Sequence, residues 1–129
     1  MATYFFTRTL DLPLDEAEAR TREVLQEEGF GVLTEIDIRA TLKKKLDVEF
    51  RPYKILGACN PPLAHKALQH EGHIGLMLPC NVIVQDAGDG RTEVAAVDPV
   101  ASMAAVENDA LGDVAEDVRA RLRRVIEAL

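Results

Sequence analysis

Basic charge, cysteine and long apolar runs are all scarce in this chain of 129 residues. Lysine and arginine together number 15 against 22 aspartates and glutamates, a net charge of −7. That balance argues against general nucleic-acid binding, which needs a basic footprint. No apolar run approaches the roughly 18–20 residues that cross a bilayer, so no membrane association is expected. The start, Met-Ala-Thr-Tyr-Phe-Phe-Thr-Arg, has no basic segment followed by an apolar core, so it does not read as a secretory signal. A cytoplasmic protein is the expectation, and there two cysteines read as thiols rather than a structural disulfide. The twenty residues between Cys59 and Cys80 fit no zinc-ribbon spacing. His65, His70 and His73 form no recognised ligand spacing, and Ser-His-Asp order, a phosphate-cradling glycine loop and His-Glu-x-x-His are all missing.

What is there is ordinary globular material, 47% hydrophobic and 29% charged, enough for one self-sufficient core. No repeat, low-complexity stretch or linker divides it, so residues 1–129 read as a single domain. Thr3 to Thr9 is β-rich. Pro13 then opens a helix with Leu14, Ala17, Thr21, Val24 and Leu25 on one face, and Gly29 ends it in the left-handed region with Phe30 folding back. Gly31 to Ile38 reads as a strand with Val32, Thr34 and Ile36 on one side. Ile38, Leu42 and Leu46 mark a short helix.

Tyr53 to Cys59 is the third strand, with Tyr53, Ile55, Gly57 and Cys59 facing one way. Asn60 is an N-cap candidate followed by Pro61, and Leu63, Ala64, Ala67 and Leu68 form the buried stripe of a helix. Ile74 to Gln85, apolar on both faces, reads as one long central strand bent at Pro79, because proline cannot donate to a ladder. Asp86 to Gly90 is a hairpin turn and Arg91 to Asp98 the returning strand. Asp98-Pro99 repeats the cap-then-proline signature. A last helix from about Asp109 to Ala128 carries Leu111, Val114, Ala115, Val118, Leu122, Val125 and Ile126 as its stripe. The order β-α-β-α-β-α-β-β-α implies an α+β domain with a mostly antiparallel or mixed sheet covered by helices.

Each candidate for chemistry has a plainer reading beside it. Cys59 precedes a capped helix, where a thiol ionises more readily, but Pro61 and Pro62 remove two of the N–H groups that create the effect. The plain reading is a small buried residue, and for Cys80, among Leu78 and Val82, it is stronger. If the two strands are neighbours, Cys59, Cys80 and His65 form a candidate soft-metal set for zinc or copper(I). Arg39, Lys43, Lys45 and Lys54 form a candidate anion patch, or a solvated basic face. Asp98 reads as a helix cap before it reads as a general base.

The phrases Gly57-Ala-Cys-Asn-Pro-Pro-Leu-Ala-His65, Leu78-Pro-Cys-Asn-Val82, Val97-Asp-Pro99 and Gly29-Phe-Gly-Val-Leu-Thr-Glu-Ile-Asp37 together resemble the bacterial and archaeal "domain of unknown function 302" family. The resemblance covers nearly the whole chain. It implies a small α+β fold and a homodimer, and no known enzymatic activity. It makes Asp37, Lys45, Cys59, Asn60, Pro61, His65, Pro79, Cys80, Asn81 and Asp98 site candidates without assigning roles. The functional expectation is a cytoplasmic small-ligand or soft-metal binding module around Cys59, Asn60, His65, Cys80, Asn81 and Asp98. The alternatives are a cysteine-dependent enzyme and a homodimeric interaction protein without catalysis.

Overall fold

Alternating apolar side chains along five segments build one antiparallel sheet. The computed structural model describes residues 3–129. Among them the order is β1 (Phe5–Leu10), α1 (Leu14–Glu27), β2 (Gly31–Asp37), α2 (Ile38–Leu46), β3 (Tyr53–Cys59), α3 (Pro61–His70), a 3₁₀ turn (Ile74–Met77), β4 (Cys80–Gly88), β5 (Arg91–Val97), α4 (Pro99–Ser102), a second 3₁₀ turn (Asp109–Leu111) and α5 (Gly112–Ala128). The strands lie in the order β1-β5-β4-β3-β2, every neighbouring pair antiparallel. The expected α+β architecture and element order hold.

One face of the sheet is covered. Leu56, Ala58, Val82, Val84, Val94 and Ala96 are buried there against Ala17, Thr21, Val24 and Leu25 of α1 and Val114, Val118, Leu122 and Val125 of α5. Leu122 and Val125 are fully buried, each stabilising the fold by roughly 1.5–3 kcal/mol. Along the opposite face run Phe5, Thr7, Glu93, Ala95, Asn81, Ile83, Tyr53, Ile55 and Ile36, as strand alternation and register require. The neighbouring α2 buries none of its own residues.

The turn from α1 into β2 forms as expected. Gly29 has φ +85°, and the amide of Phe30 donates to Leu25 O at 2.9 Å while the ring is buried. Two local expectations need correction. Ile74 to Gln85 is not one strand: Ile74–Met77 closes a 3₁₀ turn whose fully buried Ile74 joins the core, and pairing begins only at Cys80. The bend at Pro79 is real, and the Leu78–Pro79 peptide is cis. In β2, a bulge between Val32 and Thr34 sets Val32 opposite Ala58 on the covered face, while Thr34 lies opposite Gly57 on the other. Val32, Thr34 and Ile36 therefore do not share a face.

Candidate functional site

Antiparallel pairing brings the C-terminal end of β3 beside the N-terminal end of β4, and Ala58 sits directly opposite Cys80. Both cysteine-asparagine corners thus reach the same end of the sheet. Gly57 is needed there for space. A Cβ on it would collide with Thr34 Oγ1 and come within 2.7 Å of Pro79 Cγ, so Thr34 and Pro79 close over it. This tight joint holds the 78–80 segment against β3.

Beside the joint lies a cavity of about 280 Å³. Its walls are Ala58 and Cys59 from β3, Leu63, Ala64, Ala67 and Leu68 from α3, Leu78 to Cys80 ahead of β4, Met103, and Val114 and Val118 of α5, with Phe30 and Leu33 on the β2 side. The lining is almost wholly apolar apart from the two thiols and Asn60. Both thiols are free; Cys59 is half-buried and Cys80 buried. Burial, and then the neighbouring Cys59, push the Cys80 thiol up to about 11, so at neutral pH it is a protonated, weakly nucleophilic group.

Asn60 also lines the cavity, but its amide is already engaged. Its Oδ1 accepts from the amide of Leu63 at 3.3 Å, capping α3, and its Nδ2 donates to Glu28 O at 3.5 Å. Arg121 Nη1 donates to the same carbonyl at 3.0 Å. Asn60 therefore ties the start of α3 to the end of α1 and so shapes one wall. Gly29 makes room for it: a Cβ there would lie 3.0 Å from Asn60 Nδ2.

The chain matches the family described as "Domain of unknown function DUF302" over residues 6–129. It belongs to that family. A solved structure similar to it is that of an uncharacterized conserved DUF302 protein from Bacillus stearothermophilus, with 29% identity, 98% of each chain covered and a TM-score of 0.89. No curated protein matches it.

The remaining DUF302 motif residues do not gather at the cavity. His65 is exposed on α3 and outside the lining, which takes Ala64 and Ala67 of that helix. Asn81 is exposed on the opposite sheet face. Asp98 accepts from the amide of Val100 at 3.0 Å to cap α4, and lies 3.2 Å from Arg119 Nε. Asp37 caps α2 through the amide of Ala40 at 2.9 Å, leaving Lys45 exposed on that helix. Among the described residues, no three histidine, cysteine, aspartate or glutamate side chains are placed to hold a metal ion together. The three-donor set Cys59, His65 and Cys80 is not assembled.

The basic cluster is largely neutralised by its own neighbours. Lys54 Nζ lies 2.9 Å from Glu18 and 3.0 Å from Glu35, and Arg22 Nε lies 3.0 Å from Glu18. Burial alone works against ionisation of Glu18, but hydrogen bonds from Lys54 and Arg22 outweigh it and hold the carboxyl below its usual range. The same contacts raise Lys54. Lys43 Nζ is paired at 2.8 Å with Asp47 and 3.1 Å with Glu49. Arg39 lines a groove with Lys54, where Asp15 and Asp37 stand beside the two cations. Lys43 and Lys45 are outside that lining, so the four cations do not share one groove.

The walls missed by motif reasoning include Phe30, Leu33, Met103, Val114 and Val118. Hydrophobic periodicity marks the two valines as inward-facing, but nothing in that pattern distinguishes a residue lining a cavity from one filling the core.

Proposed function

We propose that this protein is a small-ligand binding module whose site is the cavity between Cys59, Cys80, α3 and α5. The observation that carries this reading is the cavity itself: about 280 Å³, walled by apolar side chains, with Asn60 and two thiols at one end. Apolar concavities with few polar groups are the usual form of small-molecule sites. A dry cavity of about 150 Å³ accepts benzene, so this one suits a substituted ring or a short branched chain. The reading has the protein working in the cytoplasm, which suits its free thiols.

Soft-metal binding has less support, because His65 stands outside the lining and only two sulfurs remain as donors. A thiol enzyme would rest on Cys59 alone, since the Cys80 proton is held too tightly for ready nucleophilic or resolving chemistry at neutral pH.

Toluene and indole titrated against ¹⁵N-labelled protein provide the test. The amides of Ala58 to Ala64 and of Cys80 should shift in a saturable way. Ala64→Leu, which puts a larger side chain into the wall, should weaken that binding about tenfold or more. Absence of saturable shifts up to millimolar probe, or equal binding by the filled variant, would refute the reading. Metal analysis of untagged protein purified without chelator checks the soft-metal version, and a stoichiometry far below one per chain would remove it.

A further inference from the structure

The cavity has a closed side and an open one. Phe30, Ala67, Met103 and Val114 are at most 8% exposed, whereas Leu33 and Leu68, in the same lining, are 67% and 45% exposed. Leu33 is the extra residue of the β2 bulge, paired with nothing on β3, and a bulge on an edge strand re-aims a side chain. Leu68 follows the wall residue Ala64 by one turn of α3, on the same helix face. Two leucines from separate elements thus form an apolar rim. Leu76 and Met77, both exposed, add apolar surface just before the wall residue Leu78.

We infer that the ligand of this cavity is an amphiphile, its apolar part of about ten carbons seated tail-first and its polar head left in water beyond Leu33 and Leu68. This rests on the cavity being a ligand site and names the class of molecule it takes. Size is the first support. A cavity of about 150 Å³ holds benzene, so one of about 280 Å³ holds about eleven carbons at the same packing. A single phenyl or leucyl side chain inserted by a protein partner would fill only about half of it.

Polarity is the second. Asn60 is engaged by the amide of Leu63 and by Glu28 O, and the two thiols are weak hydrogen-bonding groups. A hydroxyl or carboxylate carried to the closed side would lose its water and find no partner, so the polar end stays outside. The rim is the third. A tail passing between Leu33 and Leu68 removes their side chains from water, whereas a ligand confined to the closed side leaves both exposed.

Primary alcohols from butanol to decanol, titrated into the full ¹⁵N-labelled chain, test this. Affinity should rise about fourfold with each added methylene up to decanol. The α,ω-decanediol, which carries a second hydroxyl to the closed side, should bind at least about tenfold more weakly than decanol. Leu33→Ser and Leu68→Ser, both at exposed positions, should each weaken decanol binding about threefold or more and change toluene binding less than about twofold. Toluene separates the two claims. If the unmodified chain binds neither toluene nor decanol, the cavity is no ligand site and the amphiphile falls with it. If toluene binds but affinity stops rising before octanol, or the diol matches decanol, the amphiphile is overturned while the ligand site stands. Serine variants that leave decanol unaffected, or weaken toluene as much as decanol, overturn it in the same way.

Discussion

The two thiols should differ sharply in reactivity although they stand at neighbouring strand ends. Cys80 is 7% exposed, and its thiol is pushed from 9.0 to about 11, first by burial and then by Cys59. A rise of that size reduces the thiolate fraction about a hundredfold at neutral pH, before access is considered. Iodoacetamide at pH 7.5 should therefore modify the half-buried Cys59 in the native protein at least about ten times faster than Cys80, since the greater intrinsic nucleophilicity of a higher-pKa thiolate returns part of that factor. The two should react at similar rates in guanidinium. Peptide mass mapping over time separates them. Burial of the Cys80 thiol also makes stability depend on pH. The unfolded thiol ionises above about 9 while the folded one stays protonated to about 11, so stability present below pH 9 is lost as pH rises through that window. The loss is of the order of 2–3 kcal/mol. It should appear as the difference between the unmodified chain and Cys80→Ala in denaturant melts at pH 8 and pH 10.5, because lysine and tyrosine titration is common to both. Equal native labelling rates, or parallel pH profiles for the two proteins, would refute the reasoning.

Other perturbations follow from the packing. Gly57→Ala should destabilise by about 1–3 kcal/mol in urea melts, since its Cβ collides with Thr34 and Pro79; adding Thr34→Ser should recover little while Thr34→Ala recovers part. Asn60→Ala should cost about 1–2 kcal/mol, whereas Asn60→Asp keeps the Leu63 cap but turns a buried carboxylate oxygen toward Glu28 O in place of the donated bond. Lys54→Met should destabilise by about 1–2 kcal/mol at pH 7, leaving Glu18 and Glu35 with Arg22 as their shared cation. Because Glu18 is lowered, its contribution is present above the ordinary carboxylate range and lost as pH falls through its folded value. Because Lys54 is raised, its contribution is present below about 10.5 and lost at higher pH. The gap between Lys54→Met and the unmodified chain should thus be widest near neutrality and close toward pH 3.

Local signals were legible wherever one residue's chemistry decides the backbone. Gly29 with Phe30, Asn60 with Pro61, and Asp98 with Pro99 each mark a helix end through φ, a missing N–H or a side-chain acceptor, and each forms. The stripe of α5 and the alternation in β3 were equally plain, because 3.6- and 2-residue periods need no partner to be read. Ile74 to Gln85 misled for the same reason. A continuous apolar run reads alike whether it is paired strand or a 3₁₀ turn tucked into the core, and the pairing partner decides which.

The amino-acid sequence by itself determined the family, the order of the elements and the caps that start α3 and α4, since these depend on neighbours along the chain. Only the tertiary structure decided that Cys59 and Cys80 reach one sheet end while His65 stays outside the cavity, and that Lys43 and Lys54 are paired with carboxylates. Those outcomes depend on strand register and on helix placement across distant parts of the chain. A spacing of residues along the sequence carries no distance between elements until the sheet has set it.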